Sequence, residues 1–495
     1  MTQLFSILLV SLSVPLTANP TKENCPVKFT HQLGFCSLKK ESQNQKLTVN
    51  GTIPEWLNGS FINIGPGIFE INNTVAQNWL DGFGMIHQFS IGKGTVTYSN
   101  KLVNSSYYQE CCKTGKIRGS KPEQKKSTWS KLTSAVSNAP RMVYDNANIT
   151  VQRFNDQLIA ATETPHYIKI NSSTLESKNS FTFDDKLDYH FCAAHSLFDP
   201  STQEWFGLGI QFAHTSNYII YKMNQNCTKR IVLATIPVGY PAYMHSFALT
   251  QNYIILTEHP YVVSPYDLLL SDDSFIDNFI WKPQNGTIFM VFDRKTGKKI
   301  TSLKTDAFFT FHHVNAFETE NMITIDLIAH KDAEILIKGF NYKDLCNGKY
   351  YASLAHLKRY ILNLKTNKVS SSLLTPHFLE LPHINSKQLM HNYQYLYATT
   401  GEHAIANQLI KLDLHSKRHL TWSAKDCYPT EPIFVAKPHA KDEDDGVILS
   451  TVLDCHKGTS FLLVLDAKTM KEIGRAYVAH HIPFTAHSKF FKENS

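Results

Sequence analysis

What this sequence has little of narrows its reading before any motif is considered. After the first eighteen residues there is no run of ~20 uninterrupted apolar residues, which argues against an integral membrane helix. Its 9 cysteines include no Cys-x-x-Cys pair and are spread too widely for a zinc ribbon, and their odd number leaves at least one unpaired if the rest bridge. A net charge of +7 on 495 residues is too small to suggest a nucleic-acid partner.

What is present is core material. Hydrophobic residues make up 42% and aromatics 12%, with 30 Phe and 22 Tyr, a balance that fits a β-rich interior rather than a helical bundle. Residues 1–18, MTQLFSILLVSLSVPLTA, form an apolar run without a positive n-region, broken by Ser11, Ser13 and Pro15 and ending in a small residue. They read as a signal peptide or apolar leader, with residues 19–495 as a single domain. Asn-x-Ser/Thr sequons at Asn50, Asn58, Asn72, Asn104, Asn148, Asn171, Asn226 and Asn285 fit a secretory route. Cys25 and Cys36 are candidates for a bridge near the mature N-terminus, and Cys192 reads as a small buried hydrophobe. Secretory entry is favoured over a cytosolic, membrane-associated location.

A local pattern recurs along the chain: an apolar run, Asx, two residues, Thr or Ser, then another strand-like run. It occurs at Asn171–Thr174, Asp199–Thr202, Asp293–Thr296, Asn363–Thr366, Asp413–Ser416 and Asp466–Thr469. Asx side chains close such turns by accepting from backbone amides two residues on, so these are expected hairpin tips. From Asp293 onward they lie roughly 50 to 70 residues apart, near the ~40 to 50 of a four-stranded propeller blade with insertions. A β-propeller is expected over the competing sandwich array.

The pair His312–His313 interrupts an aromatic wall, FFTFHHVNAFE, from Phe308 to Glu318. Successive strand side chains face opposite sides, so only one of the two imidazoles can look inward. His195 in FCAAHSLFDP, His245 in YPAYMHSFALT and His487 in IPFTAHSKFF have similarly apolar, strand-like surroundings. Their wide spacing lets them come from different blades and meet on the axis that innermost strands face. Four neutral imidazoles with no carboxylate among them suit a first-row transition metal, with positions left for dioxygen. Calcium and magnesium, which take oxygen ligands, do not fit.

In chain order, the segments GTIPEWLNGSFINIGPGIFE, WLDGFGMIHQFSI, TETPHYIKINSSTLE, AAHSLFDP, YMHSFALTQNYIILTEHP, FHHVNAFE, LELPHIN, EPIFVAKP, EDDGVILSTVLD and IPFTAHSKFF resemble the carotenoid oxygenase family, from about Leu47 to Phe491. The family includes animal carotene cleavage oxygenases and the retinal pigment epithelium isomerohydrolase. The resemblance implies an all-β, seven-bladed propeller capped by helices and loops, with one Fe(II) per chain on its axis. The implied ligands are His195, His245, His312 (in preference to His313) and His487. Glu163 would hold His245, Glu380 His312 and Glu431 His487, each accepting the ring N–H that a metal-bound imidazole leaves free. The implied activity is dioxygen-dependent cleavage of a carbon–carbon double bond in a lipophilic carotenoid or apocarotenoid, such as β-carotene to retinal. A retinyl ester isomerohydrolase, with the metal acting as Lewis acid, and a catalytically silent apocarotenoid-binding propeller are the alternatives.

Two motifs depart from the family pattern. Asn63-Ile64-Gly65-Pro66-Gly67 keeps the turn glycines and loses the usual leading arginine, and Ala194-His195-Ser196-Leu197 lacks the usual proline and second histidine. Between Cys111 and Lys131 the cations Lys113, Lys116, Arg118, Lys121, Lys125, Lys126 and Lys131 face one acidic residue, Glu123. This basic loop, 111–131, reads as a solvated charge run or, by the resemblance, as a peripheral membrane contact. The run Asp442–Asp445, DEDD, reads as a solvent-facing turn.

Overall fold

The computed structural model describes residues 30–117, 144–154, 156–224, 229–270, 274–351, 354–401 and 405–493. Seven antiparallel sheets form the blades of a β-propeller. The first blade runs inward from Ser42–Lys46 through Thr95–Leu102, Phe83–Gly92 and Gly59–Ile68 to His487–Lys492. The other six follow in chain order over residues 150–181, 191–238, 248–305, 313–378, 380–423 and 427–478. Both ends of the chain close the ring. The late strand His487–Lys492 pairs with Gly59–Ile68, and the early strand Thr48–Gly51 pairs with Glu472–Val478 in the last blade.

Each blade is covered on both faces, which is why many middle strands are buried almost throughout instead of alternating. Gly59–Ile68 and Gly446–Asp454 each have a single residue that is not buried. The core is accordingly a ring of apolar seams between neighbouring blades. Ile255, Phe289 and Val291 meet Ile323, Ile325 and Leu327 in one seam; Leu449 and Leu462 meet Phe61 and Phe89 in the seam that completes the circle.

All six Asx turns form hairpin tips. Thr174, Ser201, Thr296, Thr366, Ser416 and Thr469 amides donate to the carboxyl or amide oxygen of Asn171, Asp199, Asp293, Asn363, Asp413 and Asp466. Four join the two outer strands of a blade; the Asp466 turn joins Thr459–Asp466 to Glu472–Val478, outside which Thr48–Gly51 adds an edge strand, and the Asp199 turn joins the innermost hairpin of its blade.

Three sequence readings need correction. The run Asp442–Asp445 is not simply solvent-facing: Glu443 accepts from the amides of Gln394 and Tyr395, and Asp444 receives the buried Lys411 ammonium at 2.5 Å. Asn148 is a sequon in sequence only, since it is 1% exposed and its side-chain amide donates to the carbonyls of Leu80 and Gly82. The basic stretch does not begin as a loop. Cys111–Thr114 closes the helix Ser106–Thr114, capped by the Ser105 side chain at one end and by left-handed Gly115 at the other. Cys111 is buried there and Cys112 exposed. Residues 118–131, the leader 1–18, Cys25 and the Asn226 sequon lie outside the described residues. Cys36 is disulfide-bonded, whereas Cys192 is a buried free thiol. No helix among the described residues is long and apolar enough to cross a membrane.

Candidate metal centre and cavity

The four histidines come from the starts of innermost strands. His195 lies between Phe191–Cys192 and Leu197–Asp199, His245 just before Ala248–Leu249, and His312 just before His313–Thr319; His487 opens His487–Lys492. Backbone bonds fix these positions: Ala194 N–H donates to His245 C=O at 2.9 Å, Ile328 N–H to His312 C=O at 3.0 Å, and His487 pairs with Ile64. One possible ligand atom from each histidine lies within 4.8 Å of the other three. His195 Nε2 is 3.2 Å from His245 Nε2 and 3.1 Å from His487 Nε2.

Three of the imidazoles are backed by a glutamate. His245 Nδ1–H donates to Glu163 at 2.7 Å, His312 Nδ1–H to Glu380 at 2.6 Å and His487 Nδ1–H to Glu431 at 3.2 Å. Each carboxylate has a second donor: the Tyr243 hydroxyl on Glu163 at 2.8 Å, His330 Nε2 on Glu380 at 2.6 Å and the Ser488 amide on Glu431 at 2.5 Å. Among the described residues no carboxylate accepts from His195.

The electrostatics favour the neutral form of His195 and His245 and the charged form of Glu380 and Glu431. Burial, then the neighbouring His487, His245 and His312, push His195 well below the ordinary imidazole range. Burial also lowers His245, against the opposing pull of Glu163. For Glu380, burial pushes upward but His312 and His330 outweigh it and hold the carboxyl well below the usual range. Glu431 is lowered in the same way by His487 and the Ser488 amide. With Nδ1–H committed to a carboxylate, the lone pair of Nε2 is left facing the centre.

His312 Nε2 is buried and has no hydrogen-bond partner. An orphaned imidazole nitrogen beside three others, none of them protonated toward a carboxylate on that side, fits a nitrogen-bound transition metal. His313 turns away, as strand alternation requires: its Nδ1 pairs with Ser246 Oγ at 2.8 Å and its Nε2 with Thr257 Oγ1 at 2.8 Å.

Sequence reasoning missed Tyr243 and His330. Tyr243 stands two residues before His245, a spacing that puts both on one face of an extended segment and could have found it. His330 carries no such signal; only the bridge between Phe309 and His330 brings it beside Glu380.

A cavity of about 390 Å³ adjoins the cluster, with His245, His312, His487, Glu163 and Glu380 in its wall and Trp79, Ile149, Phe311, Phe340 and Leu379 supplying apolar surface. Leu354 and Phe378, also in the wall, are 49% and 37% exposed, so the cavity reaches solvent there. Its volume and apolar lining suit a small lipophilic ligand.

A family model described as RPE65, retinal pigment epithelial membrane protein, matches residues 35–492. The β,β-carotene 15,15'-dioxygenase of Gallus gallus is 29% identical over 507 aligned residues, 91% of this chain and 96% of that protein. The mitochondrial carotenoid-cleaving dioxygenase of Homo sapiens is 28% identical, over 89% of this chain and 87% of that protein. A variant of the Synechocystis apocarotenoid oxygenase shares the fold, with a TM-score of 0.82 at 23% identity over 93% of this chain and 98% of that chain.

Proposed function

The chain belongs to the RPE65/carotenoid oxygenase family, and on that premise we propose that it is a non-haem Fe(II) oxygenase that cleaves a carbon–carbon double bond of a carotenoid or apocarotenoid with dioxygen. The observation that carries this reading is the convergence of four imidazoles, one with an unpartnered Nε2, beside an apolar cavity.

In this reading His195, His245, His312 and His487 hold one ferrous ion, and Glu163, Glu380 and Glu431 set the tautomer of three of them. Bound there, ferrous iron would supply the activation of dioxygen that neither the polyene nor a side chain can provide. The aromatic and aliphatic wall excludes water and fixes which double bond lies beside the four imidazoles. Among the described residues no cavity carboxylate is free to act as general base: Glu163 and Glu380 both accept from a histidine N–H and from a second donor. The basic segment 111–131, most of it outside the described residues, is proposed to contact anionic lipid, and its vesicle binding should weaken as salt rises.

The test is aerobic and anaerobic incubation of iron-loaded protein with β-carotene and several apocarotenoids, with products identified by mass. Aldehyde or ketone fragments that form only with dioxygen are expected. Oxygen-independent conversion of a retinyl ester would identify an isomerohydrolase instead, and tight binding without turnover a carrier.

A further inference from the structure

Glu163, Glu380 and Glu431 each take a second donor, and the three donors are not alike. On Glu163 it is the phenol of Tyr243, and on Glu431 the backbone amide of Ser488. On Glu380 it is another imidazole: Oε2 accepts from His312 Nδ1–H and Oε1 from His330 Nε2–H, both at 2.6 Å. One carboxylate is thus divided between two equal donors, and only one of them belongs to the four-histidine cluster.

Both sides of this clasp are held by the fold. His330 is 2% exposed and exchanges a pair of backbone hydrogen bonds with Phe309, at 3.0 and 2.8 Å. Its ring meets that of Phe311 edge-on at 5.5 Å. Glu380 opens the following blade, where its carbonyl accepts from the Thr399 hydroxyl at 2.8 Å. The next residue, Leu381, is left-handed with φ 52° and turns its amide back onto Glu380 Oε2 at 2.9 Å. A residue with a Cβ is disfavoured in that region, and such strain persists where the surrounding structure over-determines it. Here it fixes the carboxylate between the two imidazoles.

An imidazole whose Nδ1–H donates to a carboxylate becomes a more basic ligand at Nε2. A carboxylate that already accepts a short bond from another N–H has less negative charge to offer, so each donor weakens the other. We propose that His330 is a positioning residue for His312: it holds Glu380 in place and, by sharing its charge, keeps His312 a weaker donor to the metal than an undivided carboxylate would make it. The inference rests on the reading of the four histidines as a metal centre and adds the residue that sets the strength of one ligand.

The test is zinc binding at the four histidines, with Zn(II) as a diamagnetic probe and affinity read by competition with a chelator. His330→Phe removes the donor and keeps a ring beside Phe311, whereas His330→Gln keeps an N–H donor. His330→Phe is expected to bind zinc roughly 3 to 10-fold more tightly than wild type, a smaller change than the loss of a whole carboxylate partner produces, and His330→Gln to stay within about two-fold of wild type. A merely structural role would lower the affinity of both. Thermal transitions identify the folded variants, and wild type supplies a reading that needs no variant. In zinc-loaded protein carrying isotope-labelled histidine, the His330 Nε2–H and His312 Nδ1–H protons should resonate equally far downfield, as two equal bonds to one carboxylate require. Zinc bound no more tightly by His330→Phe than by wild type, or a His330 proton at the position of an unbonded imidazole, would overturn the assignment and leave the metal centre standing. Wild type that takes up no zinc would overturn both.

Discussion

The axis and the rim of this propeller are built by opposite rules. At the rim, each outer hairpin tip is closed within a few residues: Asp466 accepts from the Thr469 amide and hydroxyl, and Asp293 from the Lys295 and Thr296 amides. On the axis nothing is local. His195 meets His487 across nearly three hundred residues of chain, and each glutamate lies dozens of residues from the histidine it holds. The rim fixes where strands end; the axis depends on the whole ring closing. Damage at the axis should therefore remove chemistry with the fold left standing, and damage at the rim should trim stability with the chemistry left standing.

The largest expected effect is at the axis. His245→Ala or His487→Ala should lose the bound metal and reduce turnover at least ~100-fold, since a cluster member is removed together with the orientation its glutamate provides. His313→Ala sharpens the contrast. It leaves Ser246 and Thr257 without a shared partner and should cost about 1–3 kcal/mol of stability with metal content unchanged. Metal analysis beside denaturant unfolding separates the two, and full activity with metal retained in His245→Ala would remove the axial half of the comparison.

One tip breaks the rule and supplies the next test. Asp199 closes its own turn but also receives the Arg294 guanidinium from the following blade, and Arg294 reaches on to the carbonyl of Thr250. Asp199 is 1% exposed and Arg294 6%. Arg294→Met leaves a buried carboxylate without its cation and should cost ~3–5 kcal/mol, far more than an ordinary tip, again without loss of metal.

Substituting the glutamates tests whether the axis is graded. Glu163→Gln, Glu380→Gln and Glu431→Gln should each lower metal affinity by roughly 10 to 100-fold, measured by competition with a chelator, with unfolding midpoints close to wild type. Unchanged affinity in all three would reduce them to ordinary buried carboxylates.

The same contrast explains what the sequence made legible. The Asx tips could be read because the turn chemistry is contained in four consecutive residues, and their recurrence every roughly 50 to 70 residues from Asp293 onward pointed to blades. The four histidines stood out by their apolar flanks; strand alternation said only that one of His312 and His313 could face inward, and the family resemblance chose His312. The links from Glu163, Glu380 and Glu431 to their histidines came from family resemblance, since no spacing rule connects residues on different blades. Tyr243 had a two-residue signal that went unused. His330, and the buried roles of Glu443 and Asp444, had none: a run of four acidic residues looks solvated until the backbone amides of Gln394 and Tyr395 and the ammonium of Lys411 are brought to it.

The smallest expected effect belongs to an ordinary tip. Asp413 accepts from the amides of His415 and Ser416, the Ser416 hydroxyl and the Gln394 side chain. Burial pushes its carboxyl up, but these donors outweigh burial and bring it down to about 2 from 3.8. Asp413→Ala should cost about 0.5–1.5 kcal/mol near neutral pH, with metal content and turnover unchanged. Because the folded state lowers the pKa, the carboxylate's contribution is fully present above the unfolded value and is lost as pH falls through the folded one. The gap in unfolding free energy between wild type and Asp413→Ala should thus be constant above about pH 5 and narrow steadily toward about pH 3. A gap that instead stayed level through that window would mean the aspartate acts at the tip by shape and not by charge.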